Sequence, residues 1–132
     1  MSNKLVEQAK EKFGIIIEEQ LARVEEMKKS VEPVDYSTIA PIVIGVCFGD
    51  GIGEVISRHA RHVLEHMLKD GIKKGKIRFK DIPGLTIENR VKHKKAIPDD
   101  VLAELKTCHV ILKGPTTTPQ AGDKWPNIES AN

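Results

Sequence analysis

Three threonines in a row, Thr116-Thr117-Thr118, stand between Pro115 and Pro119, with Lys113 just before them and Ser130 and Asn132 a short way on. These are hydrogen-bonding groups on a loop stiffened by proline. A hydroxyl donates and accepts, an amide does both from two atoms, and an ammonium adds a positive charge suited to a carboxylate or phosphate. The chemistry on offer is recognition of a small polar ligand. The competing reading is a turn whose threonines bond their own backbone, and the residues alone leave the two level. No nucleophile stands beside a base, and no acidic cluster is placed to hold Mg²⁺.

Two other constellations could carry chemistry. Gly49-Asp50-Gly51-Ile52-Gly53 has the look of a dinucleotide turn, but the third glycine of G-x-G-x-x-G would fall at Glu54. A carboxylate there repels a pyrophosphate, which needs the free N–H groups of a helix start. Asp81 is too far along to serve as the ribose-binding acid. The favoured reading is a tight strand-to-helix turn. His59, His62 and His66 are helical neighbours, with His59 expected to lean inward, but no second cluster completes a metal site.

The elements that must position these groups follow from pattern. Residues 3 to 31 read as a helix, with Val6, Ala9, Phe13, Ile16, Ile17, Val24, Met27 and Val31 at helical spacing and mixed charges between them. Glu32-Pro33 ends it. The near-continuous apolar run Ile42 to Phe48 suggests a strand buried on both faces, as in a parallel sheet. Glu54 to Leu68 reads as a helix with Ile56, Ala60, Val63, Met67 and Leu68 inward, Ser57, Arg58, Arg61 and Glu65 outward, and Gly71 as the C-terminal cap. Lys76 to Ile82 is a second strand. Thr86 to Lys95 is polar and reads as a loop or short turn. Pro98 opens a helix through Lys106, and His109 to Leu112 is a third, buried-looking strand leading into the threonines. Alternating strands and helices predict an α/β fold: a partial three-layer domain with a mostly parallel sheet, preceded by a long amino-terminal helix. The expected division is 1–36, helical extension and linker, and 37–132, the α/β part.

Composition narrows the function classes. Apolar residues make up 39% and charged residues 30%, as in a globular protein, and a formal charge of +2 with 4% aromatics does not fit a nucleic-acid surface. Cys47 and Cys108 read as reduced core residues. With no membrane-length apolar run and no signal-type start, the expected location is cytoplasmic.

Several stretches together resemble one family. Gly49-Asp50-Gly51-Ile52-Gly53-Glu54-Val55 is similar to the GDGIGPEV signature that opens the isocitrate and isopropylmalate dehydrogenases, without its proline. Leu85 to Arg90 and Ala96 to Leu102 resemble the segments that follow. Lys113 to Pro119, then Asn127 to Asn132, resemble the isocitrate dehydrogenase version. The resemblance covers about residues 41 to 132. It implies NAD- or NADP-dependent oxidative decarboxylation of a 2-hydroxy acid, isocitrate above all, with Mg or Mn. It also implies that Thr117 and Thr118 lie beside the nicotinamide and substrate, that Lys113 supports that corner, and that Ser130 and Asn132 bond the substrate, Asn132 also lying near the nicotinamide.

The family's substrate-clamping arginines, catalytic tyrosine and lysine and metal-binding aspartates come after the matching segments, so no catalytic or metal residue is expected in this chain. Physics agrees: isocitrate is a trianion whose burial needs paired cations, and from Lys113 onward only Lys113 and Lys124 are available. The expectation is an amino-terminal subunit or fragment, inactive alone and binding no cofactor tightly. Its partners would be a complementary carboxy-terminal dehydrogenase polypeptide or another copy of itself. Few helices covering a parallel sheet also leave apolar surface for a partner. The alternatives are a non-catalytic assembly module and, more weakly, a small Rossmann-type nucleotide binder.

Overall fold

The computed structural model describes residues 2–29 and 33–131. The chain falls into two compact units, Met1–Asp35 and Tyr36–Asn132. Among its described residues the first holds one helix, α1, Ser2–Lys29. Of the expected helix end, Val31 and Glu32 lie outside the described residues. Ion pairs Lys10–Glu7, Lys28–Glu25 and Lys29–Glu26 run along its surface, each an exposed pair of small worth.

In the second unit the elements are β1 (Ile42–Cys47), α2 (Ile52–Met67), α3 (Lys69–Lys73), β2 (Ile77–Asp81), α4 (Ile87–His93), α5 (Asp99–Leu105) and β3 (Val110–Lys113). The strands form one all-parallel sheet in the order β2-β1-β3. The expected α/β class, parallel sheet and long leading helix are what the chain adopts. β1 is central, and Val43 to Cys47 are buried, as a doubly covered strand requires. Cys47 packs with Ile82, Leu85, Val101 and Leu105, with Ile97 and Cys108 at the margin. Side chains alternate along a strand, so Ile44 and Val46 point to the other face. Phe79, the register partner of Ile44, lies there under the Arg61 guanidinium. Cys47 and Cys108 are free thiols.

Four sequence expectations are corrected. The polar stretch after Thr86 is not a loop but α4. Thr86 caps it by accepting from the Asn89 N–H at 3.5 Å, and Lys94 ends it in the left-handed conformation. Ile87 and Arg90, one turn apart, are its buried face.

Helix α2 is turned about its axis from the expected orientation. Its buried positions are Gly53 and Ser57, whereas Ile52, Val55, Ile56, Val63 and Met67 are exposed. The cause is close packing: a side chain on Gly53 would strike the Pro115 carbonyl, and Ser57 Oγ lies against Gly114. Small residues therefore face the loop that follows β3. His59 is exposed with His62 and His66 rather than leaning inward.

Gly71 is not a cap. It lies inside α3, where a Cβ would meet Ile77 Cδ1 at 2.8 Å, and the positive φ falls to Gly75 at 68°. Lastly, β3 is not buried: Val110 and Ile111 are 44% and 47% exposed, because the strand is an edge of the sheet. No helix among the described residues is long and apolar enough to cross a membrane.

Candidate functional site

The sheet order fixes where a ligand can sit. From β1 the chain crosses to β2 on one side and later to β3 on the other. A crevice therefore opens outside the carboxyl ends of β1 and β3, the switch point where open α/β sheets bind ligands. Cys47 and Lys113 are register partners at those ends. The glycine turn after β1 and the threonine loop after β3 thus leave the sheet side by side.

The two loops are laced through their backbones. Gly114 N–H donates to the Cys47 carbonyl at 2.7 Å, and Asp50 N–H donates to the Pro115 carbonyl at 2.9 Å. Gly49, at φ 81°, has no room for a Cβ, which would overlap the Pro115 carbonyl; one on Gly114 would overlap the Phe48 carbonyl. This is why the turn is rich in glycine. It receives the protein's own loop where a dinucleotide turn would receive pyrophosphate.

Asp50 then fastens a third segment. Its Oδ1 accepts from the Ile87 N–H at 2.9 Å, and its Oδ2 accepts from the Thr117 N–H at 2.8 Å. One carboxylate thereby ties the start of α4 to the middle threonine. From the other side comes Arg90, with no exposed surface at all. It donates from Nε to the Ala96 carbonyl at 2.9 Å, from Nη1 to the Thr117 carbonyl at 2.7 Å and from Nη2 to the Glu129 carbonyl at 2.6 Å. Thr117 is therefore held at its N–H by an anion and at its C=O by a cation, which constrains its φ and ψ and hence the direction of its Cα–Cβ bond.

The residues singled out in the sequence divide by role. Lys113 folds back on its own loop, donating to the Gly114 carbonyl at 3.1 Å and Thr116 Oγ1 at 3.3 Å. Burial pushes its ammonium below the ordinary lysine value, and the Arg90 charge adds to this, while Cys47 and Asp50 oppose it. Thr116 is buried. Thr117 is half-buried, and its hydroxyl makes no hydrogen bond among the described residues. Thr118 is exposed, and its Oγ1 donates to Ser130 Oγ at 3.2 Å, so these two distant hydroxyls are brought together. Asn132 lies outside the described residues.

A cleft of about 440 Å³ adjoins Thr117, with Asp50, Glu54, Thr86, Glu88, Lys124 and Trp125 among its walls. Both Asp50 oxygens are taken by backbone N–H groups, and Glu54 is paired with Arg58 at 2.7 Å. Lys124 sits 4.9 Å from the centre of the Trp125 ring. Among the described residues no group of three His, Cys, Asp or Glu side chains could hold a metal ion.

The sequence reading passed over Asp50 and Arg90. Arg90 lies in a polar stretch that reads as a loop, but Thr86 three residues before Asn89, with Ile87 and Val91 at helical spacing, is the available signal.

The family model for isocitrate/isopropylmalate dehydrogenase matches residues 43–131, more than half of the chain. No curated protein and no solved structure matches it. The match begins in β1 and runs through Arg90, the threonine loop and Ser130.

Proposed function

Because this chain belongs to the isocitrate/isopropylmalate dehydrogenase family, we propose that its threonine loop is the hydroxyl wall of a dehydrogenase active site, contacting a 2-hydroxy acid and the nicotinamide of NAD or NADP. The observation that carries this reading is the double clamp on Thr117 by Asp50 and Arg90, at the switch point of the sheet, with the Thr117 hydroxyl making no hydrogen bond among the described residues. Preorganised donors of this kind are what substrate orientation needs.

In this reading Thr118 and Ser130 bond the substrate, Thr117 and Thr118 face the nicotinamide, Asn132 serves both and Lys113 supports the corner from within. Nicotinamide, when bound, supplies the hydride acceptor; the chain's own part is to orient substrate against it. The family's divalent metal finds no donor set among the described residues. Isocitrate is favoured over isopropylmalate by the triple threonine and the lysine.

We further propose that these residues do not catalyse the reaction alone. A trianion needs paired cations, and those nearest the loop are already engaged. Arg90 is spent on three carbonyls, Lys113 on its own loop, and Lys124 lies over Trp125. A complementary carboxy-terminal dehydrogenase polypeptide would supply the other wall. The second reading, a non-catalytic assembly module, is supported by the exposed apolar side of α2.

Amide NMR titration of the chain separates these readings. Millimolar isocitrate together with NADP should shift Thr117, Thr118 and Ser130 weakly and leave β2 unmoved. Shifts confined to α2 on adding a partner polypeptide, with no response to isocitrate and NADP at the threonines, would support the assembly module instead.

A further inference from the structure

Helix α1 carries large apolar side chains that the match to the dehydrogenase family does not cover. Phe13 and Met27 are both 64% exposed, and Ile17 and Val24 are 43% and 44% exposed. Their spacing follows a seven-residue repeat. Lys10, Ile17 and Val24 occupy one seam position, and Val6, Phe13, Gln20 and Met27 the other. In heptad terms these are a and d, sustained over three repeats, with Glu7, Gly14, Leu21 and Lys28 at e and Ala9, Ile16 and Arg23 at g.

We propose that α1 pairs with α1 of a second copy of this chain as an antiparallel two-stranded coiled coil. Charge decides the occupant and the direction. In a parallel pair like faces like: Lys10 meets Lys10 of the other copy in the seam. Arg23 at g also meets Lys28 at e, twice by symmetry. In an antiparallel pair a faces d. Lys10 then lies opposite Met27, Phe13 opposite the smaller Val24, and Ile17 opposite Gln20. Position e faces e, so Glu7 meets Lys28 at both ends of the seam. Glu7 already holds Lys10 at 2.9 Å and Glu25 holds Lys28 at 2.6 Å. These exposed pairs are weak enough to be shared or exchanged. The helix is self-complementary in one direction only, as a two-fold interface between identical copies requires.

Sedimentation equilibrium of the full chain at tens of micromolar tests this. The expected species is a dimer. Ile17→Asp, which puts a charge in the middle of the seam, should raise the dissociation constant at least ~10-fold. Lys28→Glu should weaken the dimer by setting a second carboxylate against Glu7, and the double variant Glu7→Lys with Lys28→Glu should restore it. A chain that stays monomeric, or a dimer indifferent to Ile17→Asp, overturns the proposal. A dimer tightened by Lys28→Glu also overturns it, because that is the response of a parallel pair, in which the new carboxylate would face Arg23 and turn its repulsion into attraction. None of these outcomes depends on the function of the threonine loop.

Discussion

Arg90 is a buried guanidinium whose partners are three backbone carbonyls. Burying a guanidinium is costly unless its N–H groups find acceptors, and those carbonyls are what make its burial tolerable. Arg90→Met removes three charge-assisted hydrogen bonds and leaves the carbonyls of Ala96, Thr117 and Glu129 without their donors. Urea unfolding should show a loss of at least about 3 kcal/mol, with little recovery in Arg90→Lys, which lacks the planar fork. Asp50→Asn turns one of two acceptors into a donor facing an N–H, at a cost of about 1–3 kcal/mol in the same measurement. Cys47 gives a pH signature. Burial holds its thiol above the ordinary value of 9.0, with Lys113 pulling the other way. The unfolded chain therefore releases this proton first. The contribution to stability is full below the unfolded value and is lost as pH rises through the folded one. Urea midpoints of the wild type should fall above pH 9.0 relative to their value at neutral pH, with a smaller fall in Cys47→Ala.

At the scale of elements, legibility tracked how local the cause was. β1 could be read because a strand buried on both faces is apolar throughout, and α1 because its stripe recurs along the whole helix. Helix α4 is hard to read because its sequence is mostly polar and only Ile87 and Arg90 turn inward, the latter a residue type seldom fully buried. Thr86→Ala should nevertheless lower stability by about 0.5–1 kcal/mol, at the modest end because the capping bond is long. The face of α2 could not be read from periodicity, because it is set by a close approach to a loop some sixty residues away, where only Gly53 and Ser57 fit. Two substitutions check that orientation by thermal or urea unfolding. Val63→Lys, on the exposed side, should stay within about 0.5 kcal/mol of wild type. Ser57→Leu, driven into the Gly114 backbone, should cost about 1–3 kcal/mol. The reverse ranking would mean that the apolar stripe faces the sheet. For the site, Thr116 to Thr118 and Ser130 could be picked out by residue type, whereas the Asp50 and Arg90 clamp depends on contacts between distant segments that no local pattern records.

For the whole molecule, a three-stranded parallel sheet brings the family's glycine turn and threonine loop to one crevice and holds the loop by its backbone. What that crevice offers is hydroxyls, with its nearby cations already committed to the fold. In the proposed function this chain supplies one wall of an isocitrate dehydrogenase-type site and needs a second polypeptide for turnover. The most direct measurement is NAD(P)H formation from isocitrate with Mg²⁺, followed by absorbance for the chain alone and after adding the carboxy-terminal polypeptide of a family member. No turnover is expected from the chain alone, and turnover on reconstitution should drop at least ~10-fold in Thr118→Val while the fold stays intact. Turnover by the chain alone, or reconstituted turnover indifferent to Thr118→Val, would contradict it.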